Sequence, residues 1–307
     1  MSFLKKSKKK SIKNIVYNYN SPDIKCIFFI LYARMIGYKI IFDIIEDNSV
    51  EAHVGAINKF RIRTSVFLFR RSRFFADGII GISDFLYKLS LQVSKNKIPV
   101  YLIPITVNLK YFKNAGTAAT KDKVQIFYGG SFAQKDGLEY LIGAFDKVSM
   151  QHANTELILT GKGHQQDMDK INARIDKTVN KNRIIYKGFL STEVYYSLLN
   201  ECDIFCMTRV NSKFANAGFP FKLGEFLASG KAVIATSVGD VPNYLTNGIN
   251  AILINPDAED ELAQALELLI GDPAKRAAIG KEARKTAEQF FDSDVIGNQL
   301  LSIFETV

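Results

Sequence analysis

Between residues 123 and 254, short apolar runs alternate with stretches of helical periodicity. One such stretch places Leu138, Leu141, Ile142, Phe145 and Val148 on one side of a helix. An apolar run that is bounded by helices on both sides is typical of a parallel strand covered on both faces. The alternation therefore predicts an α/β protein with a doubly wound parallel sheet in this part of the chain. The predicted strands are Lys123 to Tyr128, Glu156 to Thr160, Arg183 to Tyr186, Ile204 to Met207, Ala232 to Ala235 and Ala251 to Ile254.

A second, shorter alternation precedes it. The predicted strands are Ile12 to Tyr17, Tyr38 to Ile45, Gly78 to Ser83 and Val100 to Ile105, with helices over Lys25 to Met35 and Asp84 to Val93. A basic helix is expected between the second and third strands, because Ile57, Phe60, Thr64, Phe67, Leu68, Arg71 and Phe75 recur at helical spacing, which indicates a face packed on the sheet. Residues 113–122 are small and polar, as interdomain linkers are. We predict domains over 1–112 and 123–290, and a final helical segment over 291–307.

Composition narrows the class of protein and its partners. The chain has 47% hydrophobic residues and three cysteines that form no paired framework, which favours a globular protein of a reducing cytoplasm. No run of eighteen apolar residues suggests a membrane span, and no signal peptide is expected. The formal charge of +9 invites an acidic partner. It is concentrated in Lys5, Lys6, Lys8, Lys9 and Lys10, and in Arg61, Arg63, Arg70, Arg71 and Arg73.

These two clusters have different interpretations. The lysines suit a solvated tail, whereas the arginines alternate with phenylalanines and suit either a packed helix or a peripheral contact with an anionic membrane. Neither cluster belongs to a nucleic-acid-binding module, so no nucleic acid is expected as a partner.

Residues 214–236 combine a loop, a short helix and a buried strand. Pro220 suits the first turn of a helix, and Gly230 suits the left-handed residue just past its end. Glu225 then falls early in the helix, where its carboxylate faces the same cleft as the free N–H groups, while Leu223, Phe226 and Leu227 point into the core. A carboxylate suits a ribose diol and a helix N-terminus suits a diphosphate, so the stretch predicts a nucleotide-sugar site.

This stretch resembles the donor-binding signature of glycosyltransferase family 4, whose members retain the anomeric configuration and have the GT-B fold of two Rossmann-like domains. Glu225 matches the second of the family's two glutamates, which holds the ribose, and Ala217 stands at the position of the first, which approaches the donor sugar. The resemblance implies donor contacts from Gly218, Phe219, Pro220, Lys222, Leu223 and Glu225. It also implies that the first domain is incomplete, and that Val295 to Phe304 crosses back to it.

Three loops complete the expected donor site. Gly129 to Gly137 resembles the family's diphosphate loop, with Lys135 on its lysine and Gly130 or Ser131 in place of its arginine; the glycines let backbone approach a diphosphate. Thr160 to His164 lacks the third glycine of a dinucleotide fingerprint, so NAD is not expected as a ligand. The resemblance implies that Gly161 lies near the nucleotide. Gly188 and Phe189 resemble the segment that lines the base.

Metal and acid–base residues are harder to place. Asp167 with Asp169, and Asp292 with Asp294, have a metal-binding spacing but a helical context, so no metal is predicted. Lys135, with Lys222 or Arg209, would hold the leaving diphosphate instead. In the first domain Glu46 matches a family acid at the end of a strand, the family's histidine is missing there, and His53 is close in sequence.

The preferred hypothesis is a glycosyltransferase that moves a sugar, with retention, from a nucleoside diphosphate sugar to a glycan or lipid-linked hydroxyl acceptor in surface polysaccharide or glycolipid synthesis. Lys135, Glu225 and Glu46 are its expected catalytic residues. It would need no cofactor, and it would be cytoplasmic, in peripheral contact with the inner membrane face. The alternatives are a truncated non-catalytic nucleotide-sugar-binding module, a partner-dependent subunit, and a GT-B epimerase or phosphorylase.

Overall fold

The computed structural model describes residues 1–47, 56–112 and 122–307. Contacts divide it into two compact units. The first comprises residues 1–105, 216–219 and 296–307, and the second comprises residues 106–215 and 220–295. His53 and nearly all of the predicted linker lie outside the described residues. The two units are described separately below.

The helices and strands follow the predicted alternation. The strands are β1 Ile15–Tyr19, β2 Lys39–Ile44, β3 Gly78–Gly81, β4 Val100–Leu102, β5 Val124–Ser131, β6 Thr155–Lys162, β7 Ile184–Tyr186, β8 Ile204–Met207, β9 Ala232–Thr236 and β10 Ile252–Ile254. The helices are α1 Ser2–Ser7, α2 Ile27–Met35, α3 Ala56–Phe69, α4 Asp84–Ser94, α5 Leu138–Gln151, α6 Gln165–Asp176, α7 Thr192–Glu201, α8 Lys213–Ala217, α9 Phe221–Ala228, α10 Val241–Tyr244, α11 Glu259–Gly271, α12 Pro273–Phe290 and α13 Ser293–Thr306. Short 3-10 turns occupy Ser72–Phe74, Leu109–Phe112, Gln134–Asp136 and Lys181–Arg183.

The first unit is built on a parallel sheet of β1 to β4 in chain order, which we call the first sheet. Because parallel crossovers are right-handed, strands in chain order place α2, α3 and α4 on the same face. The opposite face is covered by α13, whose Ile296 and Ile303 pack with Ile41, Ile80 and Ile103. The final helix is therefore part of the core of the first unit.

The buried face of α3 differs from the predicted one. Phe60 and Phe67, which we expected to pack on the sheet, are exposed, whereas Ser65 and Phe69 are buried. The helix also ends at Phe69 instead of continuing to residue 75. Phe60 and Phe67 are seven residues apart and so share one helix side, but that side faces outward because Ser65 and Phe69, four residues apart, define the inward side.

The second unit is built on a parallel sheet of order β10-β9-β8-β5-β6-β7, the second sheet. Its core joins apolar residues of the strands with those of α5 and α11, for example Leu141, Phe145, Leu157, Leu266 and Leu269. The chain order reverses beside β5, since β6 lies on one side of it and β8 on the other. In open α/β sheets such a reversal leaves a crevice at the carboxyl ends of the strands, and ligands bind there.

Candidate functional site

A cavity of about 650 Å³ lies at the carboxyl ends of β5, β6 and β8 in the second unit. Its size falls within the range of roughly 300 to 1,000 Å³ that is usual for small-molecule sites. We call it the Glu225 cavity. Its walls include Tyr128, Gly129, Gly130, Ser131, Lys135, Asp136, Thr160, Gly161, Lys162, Phe189, Leu190, Ser191, Thr192, Tyr195, Tyr196, Thr208, Arg209, Pro220, Phe221, Lys222 and Glu225.

The loop after β5 is held close to β8. Gly137 has φ +64°, and a Cβ there would lie 2.0 Å from the carbonyl oxygen of Thr208, so this position requires glycine. The Thr208 hydroxyl donates to the carbonyl of Asp136 at 2.8 Å. The ammonium group of Lys135 lies 4.6 Å from the centre of the Phe214 ring, a cation–π contact. The loop thus presents Lys135 on the cavity wall with its backbone fixed.

Asp136 holds the same loop through a hydrogen bond to Ser131. Its buried carboxylate accepts a hydrogen bond from the Ser131 hydroxyl, and burial raises the pKa of Asp136 above its ordinary value. Burial also raises the pKa of Tyr128, whose hydroxyl donates to the Ser131 carbonyl at 2.5 Å. The Ser131 hydroxyl therefore donates to Asp136 within the loop. Asp136 is not among the residues that the sequence singled out in this loop, so sequence reasoning missed this role.

Helix α9 places Glu225 on the cavity wall. It begins at Phe221, one residue after the expected Pro220, and ends at Ala228, two residues before Gly230, whose φ of +68° is left-handed as predicted. Leu223, Phe226 and Leu227 are buried, which leaves the side of the helix that carries Glu225 facing the cavity.

The carboxylate of Glu225 accepts three hydrogen bonds. Tyr195 donates to Oε2 at 2.9 Å and Tyr196 donates to Oε1 at 3.1 Å. The Lys222 ammonium group donates to Oε2 at 3.0 Å and lies 4.3 Å from the centre of the Tyr195 ring. These donors fix the direction of the carboxylate, and the Lys222 cation partly balances its charge.

Sequence reasoning missed Tyr195 and Tyr196. Burial, followed by the negative charge of Glu225, raises the pKa of both phenols, so both are protonated donors at neutral pH. They lie on α7, about thirty residues from Glu225, and only the fold brings them to the carboxylate. A pair of tyrosines in the first half of a helix is the single sequence signal for them, and it carries no chemistry by itself.

The loops after β6 and β7 form the far wall. The Gly161 N–H donates to the Gly188 carbonyl at 2.9 Å, and a Cβ at Gly161 would lie 1.8 Å from the carbonyl oxygen of Gly130. Phe189 is 78% exposed and lines the cavity, with the Lys162 ammonium group 5.2 Å from its ring centre. An exposed ring at a cavity edge offers a face for stacking.

The structure brings most of the expected donor residues together, but not all. Gly129, Gly130, Ser131, Lys135, Gly161, Phe189, Pro220, Lys222 and Glu225 line the Glu225 cavity. Gly188 is joined to Gly161 by a backbone hydrogen bond but does not line the cavity, and Leu223 is buried in the core. Gly218 and Phe219 group with the first unit, where Phe219 is buried.

Glu46 belongs to the first unit. It lines a cavity of about 360 Å³ there, together with Ser65, Arg70, Gln92 and Lys95. The expected catalytic role of Glu46 stays a prediction.

The two aspartate pairs with a metal-binding spacing lie on helices or beside them. Asp167 and Asp169 are on α6, where Asp169 accepts from Gln165 at 2.7 Å, and Asp292 precedes α13. Among residues 1–47, 56–112 and 122–307, no group of three or more His, Cys, Asp and Glu side chains is arranged to hold a metal ion.

Comparison with known proteins decides the family. The family model described as glycosyl transferases group 1 matches residues 112–286, more than half of the chain. The chain belongs to the group 1 glycosyl transferases. The matched segment contains every residue of the Glu225 cavity named above.

Curated relatives resemble this group 1 chain at low identity. An uncharacterized glycosyltransferase of Methanocaldococcus jannaschii is 22% identical over 60% of this chain and 45% of its own length. The alpha-D-kanosaminyltransferase of Streptomyces kanamyceticus is 23% identical over 64% of this chain and 52% of its own. The capsular polysaccharide biosynthesis glycosyltransferase CapM of Staphylococcus aureus is 24% identical over 60% and 47%. The chain spans about half the length of these relatives.

Solved structures confirm the fold. Anabaena Alr3699/HepE in complex with UDP matches with a TM-score of 0.76 at 19% identity, over 96% of this chain and 79% of that one. Sucrose-phosphate synthase of Thermosynechococcus elongatus matches with a TM-score of 0.75 at 19% identity, over 95% and 73%. The predicted α/β class with two parallel sheets of the GT-B type is therefore confirmed. Within the described residues, no helix has the length and apolar character that crossing a bilayer requires.

Proposed function

We propose that this group 1 chain is a family 4 glycosyltransferase that moves a sugar, with retention, from a nucleoside diphosphate sugar to a hydroxyl acceptor. One observation carries the proposal. Lys135 and Glu225, a cation on a glycine loop and a carboxylate on a short helix, line the same cavity at the carboxyl ends of parallel strands. A nucleoside diphosphate needs both groups, because its pyrophosphate is anionic and its ribose donates hydrogen bonds.

Different residues of the cavity bind different parts of the nucleoside diphosphate sugar. Glu225 accepts from the ribose hydroxyls, and Phe189 offers its exposed face to the base. Backbone N–H groups of the loop after β5, with Lys135, hold the diphosphate. In a retaining transfer, negative charge develops on the leaving diphosphate, and stabilising that charge lowers the barrier most. The groups that hold the diphosphate therefore contribute to catalysis as well as to binding. Lys222 and Arg209 lie on the same walls, and transfer is proposed to need no metal.

The choice of donor and acceptor rests on the relatives. Anabaena Alr3699/HepE has been solved with UDP and with UDP-glucose, which makes uridine diphosphate the first probe to test. CapM is named for capsular polysaccharide biosynthesis, and a relative in Mycolicibacterium smegmatis is a phosphatidyl-myo-inositol mannosyltransferase. We accordingly propose a glycan or lipid-linked acceptor in surface polysaccharide or glycolipid synthesis, with the protein on the cytoplasmic side of the membrane.

A binding and turnover experiment tests the proposal. Calorimetry with UDP, GDP and ADP should show selective binding of one nucleotide, and its hexose conjugates should then be hydrolysed slowly or transferred, with and without EDTA. Binding of none of the three would refute the nucleotide site. Loss of turnover in EDTA would refute metal independence alone.

The second candidate is a nucleotide-sugar-binding module without catalysis. Two observations favour it: Ala217 stands at the position of the first of the two family glutamates, and the Ser131 hydroxyl donates a hydrogen bond to Asp136. The Ala217 carbonyl accepts from the Ser83 hydroxyl at 2.5 Å within the first unit. In the same experiment this candidate predicts selective binding without hydrolysis or transfer under any condition.

We also propose that the first unit rests on an anionic membrane through α2. Phe28, Leu31 and Met35 are 68%, 47% and 75% exposed, and their spacing of three and four residues places them on one side of the helix. α1 lies beside the end of α2, because the Tyr38 hydroxyl donates to the Leu4 carbonyl at 2.9 Å. At the same place the Lys8 ammonium group donates to the carbonyl of Ile36, the residue after α2, and an exposed apolar strip with basic residues near its end suits an anionic bilayer surface.

Vesicle co-sedimentation tests this contact. The chain should bind phosphatidylcholine vesicles containing phosphatidylglycerol more strongly than pure phosphatidylcholine, and the double variant Phe28→Ser, Met35→Ser should lose most of that binding. Val179→Ser, an equally exposed apolar residue of the second unit, is the matched control. Equal binding by the double variant and the control would rule α2 out as the contact.

A further inference from the structure

The hydrogen bonds of Glu225 leave less room than a ribose needs. An ionised carboxylate accepts about four hydrogen bonds. Tyr195 and Lys222 both donate to Oε2, and Tyr196 donates to Oε1. One acceptor position therefore remains, whereas the two hydroxyls of a ribose diol need two. A ribose that uses both hydroxyls must displace one of the three donors.

Displacing Tyr196 frees a whole oxygen of the carboxylate. Among the described residues Tyr196 alone donates to Oε1, whereas Oε2 accepts from both Tyr195 and the Lys222 cation and would keep one of them if the other moved. The Tyr195 ring also has the Lys222 ammonium group 4.3 Å from its centre and the Phe127 ring centre 6.2 Å away.

The ring of Tyr196 is tied to a different part of the chain. It stacks on Tyr111, with ring centres 4.2 Å apart and planes within 5° of parallel, and it meets the edge of Phe112 at 5.4 Å. Tyr111 is 48% exposed and lies in the turn Leu109–Phe112, on the stretch by which the chain passes from the first sheet to the second. A movement of Tyr196 away from Glu225 therefore changes the stack that holds this turn.

We infer that Tyr196 is a specificity-determining residue, whose hydroxyl yields Oε1 of Glu225 to the second ribose hydroxyl and whose ring transmits that displacement to Tyr111. The inference rests on the proposed function, because it needs a ribose at Glu225. It has two consequences. The Tyr196 hydroxyl lowers nucleotide affinity by competition, and the Leu109–Phe112 turn responds to the ribose.

The first consequence is tested by calorimetry with the nucleoside diphosphate that the wild type binds most tightly among UDP, GDP and ADP, and with its 2′-deoxy and 3′-deoxy analogues. Tyr196→Phe removes the hydroxyl and keeps the stacked ring. It should bind the parent nucleotide about 3- to 10-fold more tightly than the wild type, as expected for one competing hydrogen bond. It should gain less for at least one deoxy analogue.

The control is Tyr195→Phe, which removes a donor that the ribose does not displace and should bind no more tightly than the wild type. Equal or weaker binding by Tyr196→Phe would overturn the inference, since it would show that Tyr196 only supports Glu225. A wild type that binds none of the three nucleotides would instead refute the proposed function itself.

The second consequence is tested by fluorescence, because the chain contains no tryptophan. Tyr111→Trp introduces a single tryptophan, which can be excited selectively and retains a stacked aromatic ring on Tyr196. Its emission should change with nucleotide concentration and reach half of its full change at the dissociation constant found by calorimetry, whereas Met150→Trp, on the exposed end of α5, should not respond. Unchanged emission from Tyr111→Trp while calorimetry reports binding would overturn the link to the turn.

Discussion

Replacing Glu225 by glutamine keeps the shape of the side chain and removes its charge, so it tests the carboxylate directly. A hydrogen bond to a charged group contributes about 1.5 to 3 kcal/mol, and one between neutral groups about 0.5 to 1.5 kcal/mol. The difference is about 1 kcal/mol for each ribose hydroxyl. With two hydroxyls the loss of binding free energy is about 2 kcal/mol, which raises the dissociation constant for the nucleoside diphosphate roughly 30-fold.

The structure indicates that this loss will not come from unfolding. The Lys222 side chain is 41% exposed in its ion pair with Glu225, and such pairs contribute only about 0 to 1 kcal/mol. The neutral glutamine also retains an oxygen that accepts from one of the two tyrosines. We therefore expect Glu225→Gln to melt within a few degrees of the wild type.

Calorimetry with the preferred nucleoside diphosphate is the assay, and Glu193→Gln is the control. Glu193 is an exposed glutamate on α7, the helix that carries Tyr195 and Tyr196, so its replacement changes net charge equally without touching the cavity wall. A dissociation constant for Glu225→Gln within about threefold of that for Glu193→Gln, with both variants folded, would refute the reasoning that Glu225 holds the ribose.

Three further outcomes concern the loops after β5 and β7. Lys135→Ala should lower the affinity for a nucleoside diphosphate about 10-fold and leave the affinity for the corresponding nucleoside unchanged, because the ammonium group contacts the phosphates. Equal losses of affinity for both ligands would contradict this, and Lys170→Ala on α6 is the control. Gly188→Ala has a left-handed φ of +66° but no atom within 4 Å of the new Cβ, so urea unfolding should show a loss of about 1 kcal/mol. Gly137→Ala adds a steric clash to the same strain and should cost about 1 to 3 kcal/mol more; equal losses would show that the loop relaxes. Asp136→Asn should raise the free energy of unfolding at pH 7, because a pKa raised by burial makes the ionised form costly in the folded state, and the gain should disappear below the ordinary pKa of 3.8; a gain that persists at low pH would exclude this origin.

Local pattern was sufficient to predict most of the elements. The apolar runs at residues 204–207 and 232–235 became β8 and β9 with ends within one residue, because a strand covered on both faces must be apolar throughout. α3 shows where pattern fails. Phe60 and Phe67 satisfy helical spacing as well as any buried pair does, and only packing against the sheet decides that Ser65 and Phe69 face inward.

The candidate site was predictable to the same extent. The position of Glu225 followed from its place on a helix between a proline and a glycine, and the glycine loop with Lys135 followed from the strand that precedes it. The hydrogen bonds of Ser131 to Asp136 and of Tyr195 and Tyr196 to Glu225 were not predicted. The first joins residues whose spacing suggests nothing, and the others cross about thirty residues of chain.

By itself the sequence determined the α/β alternation, the parallel strands and the chemical character of each loop, since these depend on the period of apolar residues and on the backbone freedom of glycine and proline. Only the tertiary structure decided which loops share a cavity and how many hydrogen bonds Glu225 already accepts. Those properties depend on the order of strands in the sheet, where β8 rather than β7 lies beside β5. Strand order is set by the packing of the whole sheet, which no local stretch of sequence encodes.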